Sequence, residues 1–535
     1  MHCVIRLLAF VQGGPALIAQ SYLEQTYTEI YSNVSRDTAG IKKLFRQFST
    51  PGGIPSHVSP PTPGSIHEGG ELGYVLVHAA GAAFDNPDLI VTAVVGDGEA
   101  ETGPLEGSWK IINFLNPVHD GAVLPILHLN GYKIAGPTVL GRESDENIAM
   151  LMKGHGYEPY FVEGDDPKLV HHYMAATLDK CVAAIKEIQK KARAGVNQPH
   201  AQRPKWPMIV MRTPKGWTGP DKVDKVQVQG TFRAHQVPMT DVTTNADHLK
   251  VLEDWLRSYS PDKHFAKDGQ LVKKLQDFSP TGEYRMSANP HANGGKLCKA
   301  LDMPDISQYA YDIKSPATIR KPSTTQLGLM MRDLYKKNPT NFRFFCPDET
   351  VSNKLDAVFD VDNRGSLGET FDYDDHVTSN GRVLEVLSEH LCEGWLEAYN
   401  LTGRHGLFAS YEAFMMIVAS MITQHSKWLE ACQELHWRAP IPSLNLLLTS
   451  TCWRNDHNGF SHQGPGLMDI VLTKKGTVSR IYLPPDANCM LAVAEHCFNS
   501  RNYINLIVID KQPQLQYLTL EQAKEHCKAG ISIWD

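Results

Sequence analysis

Apolar residues along this chain fall into short, unbroken runs closed by glycine, aspartate or asparagine. Leu89 to Val95 (LIVTAVV) stops at Gly96-Asp97-Gly98, and Ala122 to Leu129 (AVLPILHL) stops at Asn130-Gly131-Tyr132. Runs of this kind suit strands of a parallel sheet buried on both faces. Between them, Pro104 to Leu115 predicts a helix with proline near its first turn. Met1 to Val11, Tyr160 to Glu163 and Met208 to Met211 predict further strands; a segment from Ala16, Glu71 to Ala83 and Lys168 to Ala194 predict helices. The rhythm resumes later. Thr324 to Lys336 predicts a helix, Phe342 to Cys346 a strand, Leu384 to Tyr399 and Glu412 to Glu430 helices, and Leu444 to Leu448 a strand. Arg480 to Leu483, Ala487 to Phe498 and Ile504 to Ile509 then predict strand, helix and strand. The fold class is α/β, with two doubly wound, mainly parallel-sheet domains. Residues 240–330 shift to polar helices alternating with Pro, Gly, Asn and Ser stretches. The expected organisation is a first domain over 1–240, a linker over 241–320 and a second domain over 321–535. Phe48 to Gly73 is dense in turn residues, and a loop of that length inside a compact domain is usually functional; Lys133 to Ala149 is another turn-rich loop.

The strand ends carry the candidate chemistry. Asp97 and Asn130 end two consecutive predicted parallel strands, thirty-three positions apart, and ligands bind where such ends lie side by side. Their side-chain oxygens and the Tyr132 carbonyl make a hard-oxygen set suited to Mg²⁺ or Ca²⁺ bridging a diphosphate held by glycine amides. Gly-Asp-Gly alone is a common turn; followed by Asn at this spacing, it matches the thiamine diphosphate fingerprint. The Phe48–Gly73 loop brings His57, His67, Glu68, Gly69 and Gly70, read as a glycine-lined wall with inward histidines. Lys215, at another predicted strand's end, and His235 belong with the site only if they fold back onto the same cleft.

Composition narrows the class. With 535 residues the length suggests roughly three domains. A net charge of −7 leaves no basic face for nucleic acid. The ten cysteines, scattered from Cys3 to Cys527 without a CxxC pair, read as buried thiols of a cytoplasmic protein. No apolar run approaches the roughly 18 residues of a membrane span, so no membrane partner is expected.

The motifs STPGGIPSH, PGSIHEGGELGY, VVGDGEAETGPLEGSW, LHLNGYKI, RTPKGWTGP, FRAHQVP, PDETVSN, SEHLCEGWLEAY, LTGRHGLFASYEAF, RNDHNGFSHQGPG and DKQP occur in this order. From about Gly13 to Asp535 the chain resembles the xylulose 5-phosphate/fructose 6-phosphate phosphoketolases, of fungal kind. The resemblance implies a transketolase-like fold with a diphosphate-binding domain, a pyrimidine-binding domain and a smaller C-terminal domain. It also implies a homodimer with the cofactor at the subunit interface. The implied reaction cleaves a sugar phosphate with inorganic phosphate, giving acetyl phosphate and glyceraldehyde 3-phosphate or erythrose 4-phosphate. The implied cofactors are thiamine diphosphate and Mg²⁺.

Carried over position by position, Asp97, Asn130 and the Tyr132 carbonyl hold the metal, and Gly69, Gly98 and Glu99 line the diphosphate site. Glu389 exchanges a proton with the cofactor's aminopyrimidine, on which Tyr411 stacks. His57, His235, His457 and His462 match positions for the remaining proton transfers. Glu349, Ser352, Asn458, Gln463 and Lys511 correspond to the substrate channel, Lys511 and, more weakly, Lys215 being phosphate contacts. The match departs at Gln12, where the family turn carries histidine; glutamine cannot exchange a proton at neutral pH. The family pattern also extends beyond both ends of this chain, which therefore reads as truncated at both ends, its third domain missing. The alternatives are a catalytically impaired, cofactor-binding fragment or pseudoenzyme of that family, and a transketolase, which HEGGELGY, DHNGFSHQ and DETVSN disfavour.

Overall fold

The computed structural model describes residues 3–7, 13–66, 70–195, 203–235, 237–451 and 459–534. Gln12, His67, Glu68, Gly69, His457 and Asn458 lie outside the described residues.

The first unit is a five-stranded sheet of β1 (Cys3–Leu7), β2 (Leu89–Gly96), β3 (Ala122–Leu129), β4 (Tyr157–Glu163) and β5 (Trp206–Arg212), in the spatial order β1-β2-β3-β5-β4. Every neighbouring pair is parallel. β2 and β3 are adjacent, Gly96 pairing with His128, so Asp97 and Asn130 emerge side by side. The second unit is an eight-stranded sheet, again with every neighbouring pair parallel. At its centre Phe342–Cys346, His405–Ser410, Leu444–Leu448 and Ile504–Val508 are buried throughout. The segment between the sheets is divided in its packing. Leu252 and Trp255 pack against Val223, Val228 and Met239, whereas Leu301, Ile306 and Tyr309 pack into the second unit.

Several elements differ from the pattern reading, each for a local reason. Leu384 to Tyr399 is a strand, Val383–Glu385, followed by a helix, Glu389–Leu401. The Ser388 side chain accepts the Leu391 N–H and caps the helix, which is why Glu389 sits at its first position. Within the loop expected up to Ala149, Asp145–His155 is a helix capped by Ser144. The helix expected from Glu71 begins at Val75, because Gly73 has φ +113° and the buried Glu99 carboxylate accepts the Gly73 and Val75 N–H groups at 3.0 and 3.5 Å.

The two units share one apolar core. The helix Val75–Ala83, buried at every position, crosses the helix Glu389–Leu401. A Cβ at Gly81 would lie 2.5 Å from the Trp395 carbonyl oxygen, and one at Gly394 would lie 2.6 Å from Val77 Cγ1. Polar groups also cross. Arg343 Nε and Nη2 donate to Asp85 at 2.8 and 3.0 Å, Nη2 donates to Asp120 at 2.7 Å, and Tyr399 Oη donates to Asp85 at 2.6 Å. All four side chains are buried. Glu397 is held between His78 Nε2 at 3.1 Å and His425 Nδ1 at 3.0 Å, joining three helices. Among the described residues no helix is long and apolar enough to cross a membrane.

Candidate functional site

The predicted site residues fall into two groups, one on each sheet. The first is at the carboxyl ends of β2, β3 and β5. Asp97, 2 % exposed, accepts the Gly131 N–H at 2.6 Å and the Thr138 hydroxyl at 2.8 Å, both on Oδ2. Gly131 has φ +87°, which turns the chain after β3 back toward the aspartate. Asn130 Oδ1 accepts the Tyr132 N–H at 3.2 Å. Lys215, just beyond the end of β5, folds back: its Nζ donates to the Tyr132 carbonyl at 2.6 Å. Burial lowers the Lys215 pKa and the Asp97 charge opposes that shift. His235 stands near enough that the Lys215 charge, after burial, holds its pKa down. Lys215 therefore returns to the strand ends that carry Asp97 and Asn130, and His235 stands beside Lys215. Gly98 is open, a Cβ there meeting nothing nearer than Lys133 Cγ at 3.7 Å. Burial raises the Glu99 carboxyl to about 7, against the N–H donors that favour its charge.

The pattern reading missed three participants here. Thr138 fixes Asp97, and His128 pairs its Nε2 with Thr213 Oγ1 at 2.8 Å. His128 is two residues before Asn130 and so shares its side of the strand. That parity was the one available signal; nothing local marks Thr138 or Thr213.

The second group surrounds the start of the helix Glu389–Leu401. Burial raises the pKa of the half-buried Glu389. Glu349 is pushed up to about 8, mainly by burial and further by Glu389, with Asn353 and Lys511 pulling the other way. Ser352 Oγ and Tyr411 Oη are 2.5 Å apart, and Lys511 Nζ lies 3.8 Å from the Tyr411 ring centroid. The His462 ring is 5.0 Å from Tyr411 and 5.2 Å from Phe414. Both polar atoms of the Gln463 side-chain amide are buried without a hydrogen-bond partner among the described residues.

Glu349, Ser352, Glu389, Tyr411, His462 and Lys511 are thus brought together. They belong to the second sheet and its helices, whereas Asp97, Asn130 and Lys215 stand at strand ends of the first. The His57 ring lies beside Ser56, and its backbone closes on Gly14, where a Cβ would meet the His57 carbonyl oxygen at 2.5 Å.

Large apolar side chains stand exposed beside both groups. Val351, Leu387, Met416, Ile417 and Phe460 flank the second; Ile134 and Val139 flank the first.

A family model described as the XFP N-terminal domain matches residues 5–297, and one described as D-xylulose 5-phosphate/D-fructose 6-phosphate phosphoketolase matches residues 325–500. The chain is 59% identical over 524 residues to a probable phosphoketolase of Bradyrhizobium diazoefficiens, covering 98% of this chain and 65% of that protein. It is 58% identical over 527 residues to a probable phosphoketolase of Synechococcus elongatus, covering 98% of this chain and 66% of that protein. The chain thus spans slightly less than two thirds of these relatives' length. Among solved structures it is similar in fold to a Pichia stipitis transketolase in complex with sedoheptulose 7-phosphate. The TM-score is 0.59 at 14% identity, covering 98% of this chain and 71% of that one. A Leishmania mexicana transketolase gives 0.59 at 14% identity, covering 97% and 71%.

Proposed function

Because the chain belongs to the D-xylulose 5-phosphate/D-fructose 6-phosphate phosphoketolase family, we propose that it serves the cleavage of xylulose 5-phosphate or fructose 6-phosphate by inorganic phosphate. The products are acetyl phosphate and an aldose phosphate, and the cofactors are thiamine diphosphate and Mg²⁺, with Ca²⁺ an alternative cation. The observation that carries this reading is the first group's donor set. Asp97 and Asn130 stand at adjacent strand ends, and a cation of the chain itself, the Lys215 ammonium, rests on the Tyr132 carbonyl. A site that draws an ammonium onto that carbonyl suits a metal ion there.

In this reading Asp97, Asn130 and the Tyr132 carbonyl hold the metal, while Gly98 and Glu99 line the diphosphate. Thiamine diphosphate, when bound, supplies the carbon nucleophile and electron sink that the side chains lack. The side chains manage protons and orientation. The raised pKa of Glu389 suits a carboxyl that keeps a proton to exchange with a ring nitrogen. At about 8, Glu349 is mostly protonated at neutral pH and can donate a hydrogen bond to a substrate oxygen. His235, held low by burial and Lys215, is a neutral imidazole able to take up a proton. His462, with its ring packed on Tyr411 and Phe414, is a further proton carrier. Lys511 and Lys215 are the ammonium groups that meet phosphate oxygens, and Ser352 and Gln463 orient the sugar.

We also propose that the two groups complete each other between subunits of a homodimer. Their placement on different sheets and the apolar side chains exposed beside both support this. The 1–240, 241–320 and 321–535 division belongs to the same proposal. A second reading, cofactor binding without turnover, is favoured by Gln12.

Acetyl phosphate formation from xylulose 5-phosphate, trapped as a hydroxamate, tests the first reading, with Glu389→Gln expected to lose it. Thermal stabilisation by thiamine diphosphate and Mg²⁺ is expected for the parent chain and lost in Asp97→Asn; at a hundredfold excess over Kd it amounts to about 2.7 kcal/mol. Stabilisation without product would leave the second reading standing; neither result in folded protein would overturn both.

A further inference from the structure

Away from both groups, the structure sets two cysteines together. Cys489 lies in the first turn of the helix Ala487–Asn499, and Cys527 near the end of the helix Leu520–Ala529. The Cys527 thiol donates to the Cys489 carbonyl oxygen at 3.7 Å, and both side chains belong to one small buried cluster. Groups without thiol chemistry fix this spacing. Asp486 Oδ1 accepts the Cys489 N–H at 2.9 Å, while its Oδ2 accepts the N–H groups of Tyr517 at 3.0 Å and Leu518 at 2.9 Å. One carboxylate therefore ties the start of the first helix to the segment that leads into the second. Leu518 and Ala523 close a small apolar cluster around the sulfurs.

The two thiols differ in access. Cys489 is fully buried, while Cys527 is partly exposed and lines a cavity of about 740 Å³. Arg480, Lys524 and Lys528 line the same cavity against one carboxylate, Glu495, together with His526 and with His496, whose pKa is held down by burial and by Arg480. The cavity's charge favours an anionic visitor and a thiolate at Cys527. The neighbouring Cys489 thiol lowers the Cys527 pKa, against burial, the Asp486 carboxylate and the carbonyl end of the helix Leu520–Ala529.

We propose that Cys489 and Cys527 are a thiol modification site, at which an anionic low-molecular-weight disulfide entering the basic cavity converts the pair into an intramolecular disulfide. The Cys527 thiol gives its proton to solvent, and its sulfur attacks one sulfur of the visiting disulfide. That S–S bond breaks, and one thiolate leaves and takes up a proton. The Cys489 sulfur, on losing its proton, then attacks the Cys527 sulfur and expels the second thiolate, which is protonated in turn. Two S–H groups become one S–S bond, and the oxidant, gaining two electrons and two protons, becomes two thiols. The product pins the helix Leu520–Ala529 to the helix Ala487–Asn499.

The test uses the full chain, incubated folded with oxidised glutathione, alkylated and digested without reduction. The expected result is a linked Cys489–Cys527 peptide with no glutathione retained. Cys527→Ser should abolish the link, Cys489→Ser should trap one glutathione on Cys527, and Cys497→Ser, which removes a neighbouring buried thiol, should leave the link intact. Tryptic cleavage of the native protein at Lys524 and Lys528 should slow several-fold on oxidation. A lasting glutathione adduct on Cys527 in the parent chain, a Cys497–Cys527 link, or full alkylation of both thiols after treatment would overturn the proposal. Should Cys489→Ser fail to fold, peptide mapping of the parent and of Cys527→Ser decides alone.

Discussion

Glu349 and Glu389 show how burial prepares a carboxyl for acid chemistry. Glu349 titrates near 8 rather than at its ordinary 4.5, chiefly because the charged form is desolvated. The sign of the consequence is fixed. Between the ordinary and the raised pKa the folded chain holds a proton that the unfolded chain has released, so stability falls as pH rises through that window. Glu349→Gln should remove this dependence. Its melting temperature relative to the parent should rise steadily from pH 5 to pH 8, by the equivalent of a few kcal/mol, on the order of 1.4 kcal/mol for each pH unit crossed. A difference that stays constant over that range would refute the role of Glu349 ionisation. Glu99, raised to about 7, adds a slope of the same sign, which Glu349→Gln leaves in place.

The crossing of Val75–Ala83 with Glu389–Leu401 depends on two glycines that allow backbone-level approach. Gly81→Ala puts a methyl 2.5 Å from the Trp395 carbonyl oxygen and 2.8 Å from Ala398 Cβ, so the helices must separate. A loss of about 1–3 kcal/mol is expected in chemical denaturation. Gly103→Ala, with nothing within 4 Å of the added Cβ, is the control. Elements of this kind also mark what the sequence could disclose. Leu89–Gly96, Ala122–Leu129, Phe342–Cys346 and Leu444–Leu448 were legible because a strand buried on both faces leaves a continuous apolar run. The strand Val383–Glu385 was not. It is three residues long and runs into Ser388, whose capping role is visible only once the backbone turns there. The nearness of Asp97 to Asn130 was legible from strand order. The strand end that carries Lys215 was legible too, but not its contact with the Tyr132 carbonyl nor the nearness of His235 to it. The Lys215 contact with Tyr132 spans 83 residues and depends on β5 lying beside β3.

At the scale of the whole molecule, the two sheets are joined by charge as well as by apolar surface. Arg343 is the shared cation of two buried carboxylates, Asp85 and Asp120, which the chain places more than two hundred residues before it. Arg343→Met leaves both acids without that partner. A loss of about 3–5 kcal/mol is expected, read as a lower denaturation midpoint with an unchanged slope. A loss under about 1 kcal/mol would mean that Arg404, which also bears on Asp85, suffices. The shared core has a consequence for how the protein is made. Val77 and Gly394 are in contact but more than three hundred positions apart in the chain. While a ribosome is still adding the second sheet, the finished helix Val75–Ala83 has nothing to cover its outward side. Closure waits until the residues near 400 have emerged, and during synthesis at about 5–20 residues per second that leaves tens of seconds of exposed apolar surface. Nascent chains arrested before the helix Glu389–Leu401 should therefore bind chaperones and be cut readily by protease, whereas chains in which the strand Ile504–Val508 has also emerged should not.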